Sequence, residues 1–79
     1  MNTNDAVRTM LDNAELTPYA ASLAMGRAHT YVASILKRGG LVGTPTLAEL
    51  GKVCGYTLAL VPHGSTLPSG SIVLDGKDG

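Results

Sequence analysis

The chain has 79 residues, of which 44% are hydrophobic and 15% are charged, and its formal net charge is zero. A chain of this length forms one domain with a small core, because roughly 60–65% of the unfolded surface can be buried on folding. The composition excludes a disordered charged tail, and no apolar run reaches the roughly 18–20 residues of a membrane-spanning helix. We therefore expect a soluble globular protein with no membrane partner.

The start of the chain and its cysteine content indicate the compartment. No apolar segment of the kind found in secretory signals follows the first residues, MNTNDAVR. Cys54 is a single cysteine and has no partner for an intrachain disulfide, so it is predicted to be a small buried hydrophobe. These features predict a cytoplasmic protein.

The first predicted helix covers residues 5–16, with Asn4 as its N-cap. Arg8 is expected to face solvent, and a phosphate contact from the flank of the helix is the open alternative. Apolar residues recur at helical spacing and form one stripe, consisting of Val7, Met10, Leu11 and Ala14. We expect this stripe to pack behind the elements that follow.

Residues 17–39 predict two short helices joined at Gly26. Thr17 is expected to cap the first of them through its side-chain oxygen, and Pro18 suits the first helical position, where no N–H is needed. Gly26 can adopt the left-handed conformation that ends a helix. The second helix is predicted over residues 28–38, with an apolar side and a polar side. The apolar side consists of Val32, Ile35 and Leu36.

Charge is unevenly distributed along the chain. Residues 16–48 contain no Asp or Glu, whereas they include Arg27, Lys37 and Arg38. A local charge of +3 on the predicted helix pair is the pattern expected of a face that meets phosphate groups. An ordinary solvated helix surface is the alternative interpretation.

This stretch resembles the phage-repressor and Cro type (XRE-like) helix-turn-helix family over roughly residues 5–61. Arg27 and Leu36 depart from the family pattern, which has an aliphatic residue and often Glu at these positions. The positions that match the family motif are Thr17, Ser22, Gly26, Val32 and Ile35.

The resemblance implies a sequence-specific regulator of transcription, such as a phage or prophage repressor, that binds double-stranded DNA at an inverted repeat as a homodimer. Position by position, it implies base contacts from Ala28, His29, Thr30 and Ser34. It implies phosphate contacts from Thr17, Arg27, Tyr31, Lys37 and Arg38.

A fourth helix is predicted to begin near Pro45, or one step later if Thr46 and Glu49 form a capping box. Leu41 and Val42, in the loop before it, are expected to plug the core. The buried face of the helix is predicted to consist of Leu47, Leu50, Val53 and Cys54.

The remainder of the chain changes to a β-type pattern. Residues 57–61 alternate, residues 62–70 favour turns, and residues 71–74 form a second apolar run, which together predict a β-hairpin. A lone hairpin must pack on the helices or pair with another chain, so residues 57–79 are predicted to be a dimerisation element. Its predicted interface residues are Leu58, Leu60, Ile72, Val73 and Leu74. The predicted fold is thus mainly α, with a repressor-like helix-turn-helix domain of four to five helices over residues 1–56 and a C-terminal hairpin.

An antitoxin and an enzyme are the alternative functions. An antitoxin could use the same fold, bind a toxin protein through its tail and repress its own operon. An enzyme would need nucleophile or base chemistry, but His29, His63 and Cys54 lie on three separate elements and no catalytic motif is present. The sequence therefore predicts no enzyme, no metal site and no cofactor.

Overall fold

The computed structural model describes residues 1–74, and these residues form four helices and no strand. Helix α1 spans Thr3–Ala14, α2 spans Pro18–Ala24, α3 spans Tyr31–Arg38 and α4 spans Thr44–Val53. Helices α2 and α3 pack against each other, while α1 contacts both α3 and α4. The prediction of a mainly helical domain is confirmed. Within residues 1–74, no helix combines the length and the apolar character needed to cross a membrane.

The core draws on all four helices and on the loop before α4. Val42 in that loop is buried and donates its backbone N–H to Thr3 Oγ1 at 2.9 Å, whereas its neighbour Leu41 is 70% exposed. Only one of the two residues expected to plug the core therefore does so. The largest fully buried apolar side chains are Leu50, Val7 and Val32.

Helix α1 begins two residues earlier than predicted, because the capping side chain is Asn2 and not Asn4. The Asn2 side-chain oxygen accepts the backbone N–H of Asp5 at 2.8 Å. Asn4 is instead a buried residue inside the first turn. Both asparagines lie close to the helix start, and only the packing of the domain distinguishes them.

Helix α1 also ends before the predicted boundary at residue 16. Glu15 takes the left-handed conformation, with φ of 56°, and it is the only non-glycine residue with positive φ among residues 1–74. Its N–H bonds to Asp12 O at 3.1 Å, and the N–H of Leu16 bonds to Leu11 O at 3.0 Å. This pair of bonds is the usual glycine-terminated helix ending, formed here around a glutamate.

Because an L-residue with a side chain is strained in this conformation, Glu15→Gly is expected to stabilise the protein. The relief of roughly 1–2 kcal/mol is partly offset by the greater freedom of glycine in the unfolded chain, so the net gain should be about 0.5–1 kcal/mol. Urea unfolding followed by circular dichroism measures this gain. Glu15→Ala is the control and should give no gain, because alanine keeps the strain. If Glu15→Gly instead lowers the free energy of unfolding, the Glu15 side chain must stabilise the protein by more than its backbone strain destabilises it.

The predicted C-terminal β-hairpin is wrong. Two turns occur where one was expected, closed by the bonds from Ser65 N–H to Pro62 O and from Ser71 N–H to Pro68 O, each at 3.2 Å. Gly64 and Gly70 hold the left-handed positions of these turns, with φ of 86° and 85°. A hairpin needs a single reversal that places two strands side by side. Residues 57–61 and 71–74 lie on either side of the two reversals and form no strand.

The side chains of this tail divide between core contact and exposure. Ile72 is partly buried and packs against the hydrophobic core. Leu58, Leu60, Val73 and Leu74, which were assigned to the same dimer interface, are exposed. Residues 75–79, at the end of the predicted dimerisation element, lie outside the described residues.

Candidate nucleic-acid interface

The start of α3 is held by a side chain of α2. Ser22 is fully buried, its hydroxyl donates to Pro18 O at 2.7 Å, and the same oxygen accepts the backbone N–H of Val32 at 3.0 Å. The first N–H groups of a helix have no partner within the helix, and Thr30, which precedes α3, makes no side-chain cap. Ser22 therefore supplies from α2 the cap that α3 lacks locally.

The end of α3 is held by two side chains of α1. Asn4 Nδ2 donates to Ile35 O at 3.3 Å, and Arg8 Nη2 donates to Leu36 O at 3.1 Å. These carbonyls belong to the last turn of α3, where the backbone C=O groups lack N–H donors from within the helix. Arg8 is exposed, as expected, but its guanidinium also bonds to the backbone of α3. Both ends of α3 are thus fixed by neighbouring helices.

Helix α3 has a core side and a solvent side, and its first residue, Tyr31, is partly buried against the core. The residues that face the core are Val32, Ile35 and Leu36, as predicted. The exposed residues of the helix are Ala33, Ser34, Lys37 and Arg38. This clamped helix therefore presents a small polar surface that ends in two cations.

Three of the predicted base-contacting residues precede α3. The predicted helix start at Ala28 is wrong, because α3 begins at Tyr31 and residues 25–30 form the connection from α2. Within that connection Tyr31 N–H bonds to Ala28 O at 2.9 Å and forms a tight turn. Ala28, His29 and Thr30 are all exposed in this turn. The structure thus places them beside the start of α3, in a connection longer than the 3–4 residues usual in a helix-turn-helix.

Gly26 ends α2 as predicted. Its φ is 72°, its N–H bonds to Leu23 O, and the N–H of Arg27 bonds to Ser22 O, both at 3.0 Å. At the other end of α2, Thr17 Oγ1 accepts the N–H of Ala20 at 3.1 Å, which confirms the predicted cap. Local signals therefore account for both ends of this helix.

Arg27 is already engaged within the protein. Its Nη2 lies 3.2 Å from Glu49 Oε1 of α4, and its guanidinium carbon lies 4.9 Å from the centre of the Tyr31 ring. The Arg27 and Glu49 side chains are 47% and 38% exposed, so this ion pair contributes little to stability. A phosphate contact from Arg27 would have to compete with Glu49.

The cationic character of the surface therefore depends mainly on Lys37 and Arg38. Both are exposed in the last turn of α3, where positive charge interacts favourably with the helix dipole. Neither has an ion-pair partner among residues 1–74. Arg8 adds a third positive charge near the same end of α3, through its bond to Leu36 O.

One exposed residue beside this surface was not identified from the sequence. The ring of Tyr19, in the first turn of α2, lies 5.5 Å from the ring of His29, with an angle of 42° between the ring planes. Tyr19 is 57% exposed. The two residues are ten positions apart in sequence and no periodic pattern joins them, so no sequence signal marks the pair.

The described residues offer little support for a reactive centre. Cys54 is buried as predicted, and burial raises the pKa of its thiol above the usual value, which disfavours the nucleophilic thiolate. No group of three or more metal-ligating side chains occurs among residues 1–74. The polar surface around α3 is therefore the strongest candidate for a functional site in this part of the chain.

Searches with this chain against protein-family models, curated proteins and solved structures found no match. The function is consequently inferred from the geometry described above. The main elements of that geometry are the restrained backbone of α3 and the set of side chains exposed on and beside the helix.

Proposed function

We propose that the protein is a cytoplasmic regulator of transcription that binds double-stranded DNA at specific sequences, with α2 and α3 acting as a repressor-type helix-turn-helix. One observation carries the proposal: α3 has an exposed polar side free of acidic residues, while its backbone is bonded at both ends to α1 and α2. A rigid, polar and cationic helix surface suits insertion into the major groove.

The proposed roles follow the chemistry of each exposed side chain. His29, Thr30 and Ser34 offer hydrogen-bonding groups for base edges, and Ala28 offers a methyl contact to thymine. Lys37 and Arg38 would contact phosphates at the far end of α3. The further proposed phosphate contacts are Thr17, Arg27 and Tyr31.

We also propose that two copies bind together, because one helix of eight residues contacts too few bases for a selective site. A two-fold axis would place the two α3 helices about 34 Å apart, on successive major grooves of an inverted repeat. The apolar tail supports this arrangement, since Leu60 is fully exposed and Leu58, Val73 and Leu74 are partly exposed in the described chain. An open apolar cleft of about 360 Å³ also lies between the tail and α1 and α4.

Leu60 provides a direct test of the dimer because it is fully exposed, so its replacement leaves the packing of the single chain intact. Leu60→Gln is expected to weaken self-association by roughly a hundredfold or more, since burying a leucine contributes about 1.5–3 kcal/mol and a symmetric dimer loses one leucine from each copy. Analytical ultracentrifugation over a range of concentrations measures the effect. Leu23→Gln, at a half-exposed leucine of α2, is the control. Equal association constants for both variants would exclude Leu60 from the interface.

An antitoxin role is favoured by the same apolar tail, which could cover a toxin protein in place of a second copy. Co-purification of the chain with a second, unrelated protein, expressed from the neighbouring gene, would support this alternative. Loss of that protein on Leu60→Gln would locate it on the tail.

The proposed function is tested by selecting bound sequences from a pool of random duplex DNA with the purified full-length protein. We expect a recurring motif with inverted-repeat symmetry. Recovery of sequences indistinguishable from the starting pool, at low salt and micromolar protein, would refute sequence-specific binding.

A further inference from the structure

We propose that Tyr19 is a positioning residue that holds the His29 imidazole in place for contact with a base, and so determines part of the sequence specificity. This inference rests on the proposed DNA-binding function. It concerns a residue of α2 that faces solvent and that the sequence pattern does not single out.

His29 receives little support from its own backbone. It lies in the connection between α2 and α3, where the bond from Tyr31 N–H to Ala28 O closes one turn. A side chain on such a turn has more freedom than one inside a helix. Ordering it on binding carries an entropic cost that prior positioning reduces.

The ring of Tyr19 provides the support that the backbone lacks. The Tyr19 and His29 ring centres are 5.5 Å apart and the rings are tilted by 42°, which lies in the range where aromatic pairs attract each other. The backbone of Tyr19 is held in the first turn of α2, directly after Pro18 and the Thr17 cap. The ring contact therefore limits the positions that the His29 side chain can take beside the start of α3.

Tyr19 has no ordinary packing role. It is 57% exposed and does not belong to the hydrophobic core or to the residues packed against it. Removal of its ring therefore leaves the core intact. An aromatic side chain that touches a candidate base-contacting residue, and adds nothing to the core, is placed to act on recognition.

The experiment compares Tyr19→Ala, Tyr19→Phe, His29→Ala and the Tyr19→Ala/His29→Ala double variant. Each is used to select sites from random duplex DNA, and its affinity is measured for the selected site, for single-base variants of that site and for a random duplex. Leu23→Ala, also half-exposed on α2, is the control. Thermal unfolding of each variant checks that the fold is unchanged.

We expect His29→Ala to abolish preference at one base position per half-site, and Tyr19→Ala to reduce that same preference roughly two- to tenfold, the range given by an aromatic pair. Tyr19→Phe should keep the preference because it keeps the ring. Affinity for the random duplex and the unfolding temperature should stay at wild-type values. The double variant should show no loss beyond that of His29→Ala, because Tyr19 acts through His29.

Two results would overturn the inference about Tyr19 and leave the proposed DNA-binding function standing. The first is a wild-type base preference in Tyr19→Ala at the position that His29→Ala alters. The second is an equal loss of affinity for all duplexes, which would make Tyr19 a general contact. If the wild-type protein selects no motif at all, the proposed function fails, and the inference fails with it.

Discussion

Replacing Ser22 with alanine is expected to lower the free energy of unfolding by about 1–3 kcal/mol, because it leaves the Val32 N–H buried without an acceptor. The substitution removes one oxygen atom and creates almost no cavity, so the loss reports the two hydrogen bonds of the hydroxyl, from Val32 N–H and to Pro18 O. For a domain of this size the midpoint of thermal unfolding should fall by roughly 5–20 °C. Thermal and urea unfolding followed by circular dichroism measure both quantities.

Ser34→Ala is the matched control for this experiment. Ser34 lies on the exposed side of α3, so its replacement should change stability by less than about 0.5 kcal/mol. If Ser22→Ala is as stable as the wild type, the start of α3 must be satisfied by another group and the serine is not its cap.

The second large effect is expected on DNA binding. The double variant Lys37→Ala/Arg38→Ala should bind specific and random duplexes about ten- to a hundredfold more weakly at low salt, since hydrogen bonds to charged groups are stronger than neutral ones. The slope of log affinity against log salt concentration should fall by about 2, because under the proposed function each of the two cations neutralises one phosphate. The selected motif should not change, because phosphates carry no sequence information.

Lys52→Ala supplies the control for net charge. Lys52 is an exposed lysine in the last turn of α4, outside the surface formed by α3. Its removal should change affinity and salt slope far less than removal of either α3 cation. A double variant that loses only its selective site and retains binding to random duplexes would contradict the phosphate assignment.

Elements whose boundaries depend on local chemistry were predictable from the sequence. Thr17 and Pro18 marked the start of α2, and Gly26 marked its end, because caps and left-handed glycines act over a few residues. The buried side of α3 was also predictable, since its apolar residues recur at helical spacing.

Contacts between distant residues were not predictable. The start of α3 was placed three residues early because its cap is Ser22, on another helix, and not a neighbouring side chain. Asn4 resembled an N-cap, yet its amide is used on Ile35 O. The two residues Asn2 and Asn4 could be distinguished only once α1 was packed against α3.

The error in the tail has a different origin. Residues 62–65 and 68–71 have nearly the same sequence, Pro-His-Gly-Ser and Pro-Ser-Gly-Ser, and each forms its own turn. The sequence prediction took residues 62–70 as one loop between two strands, whereas the chain reverses twice there. Of the five apolar residues assigned to the interface, four are exposed, but Ile72 packs against the core and the predicted strand pairing is absent from the described residues.

The candidate site was recovered in part for the same reasons. Periodicity placed Ser34 and Lys37 on the polar side of α3, and the uneven distribution of charge singled out Lys37 and Arg38. The ion pair of Arg27 with Glu49 and the contact between Tyr19 and His29 join residues of different elements, so the sequence alone did not reveal them.

The bonds that hold α3 have a consequence for how its surface can vary. Ser22, Asn4 and Arg8 all bind main-chain atoms of α3, so none depends on which side chains α3 carries toward solvent. Exchange of the outward residues at positions 33, 34 and 37 should therefore leave the orientation of the helix unchanged. Under the proposed function, substitutions at these positions would change which bases α3 contacts while the bonds that hold its main chain stay in place.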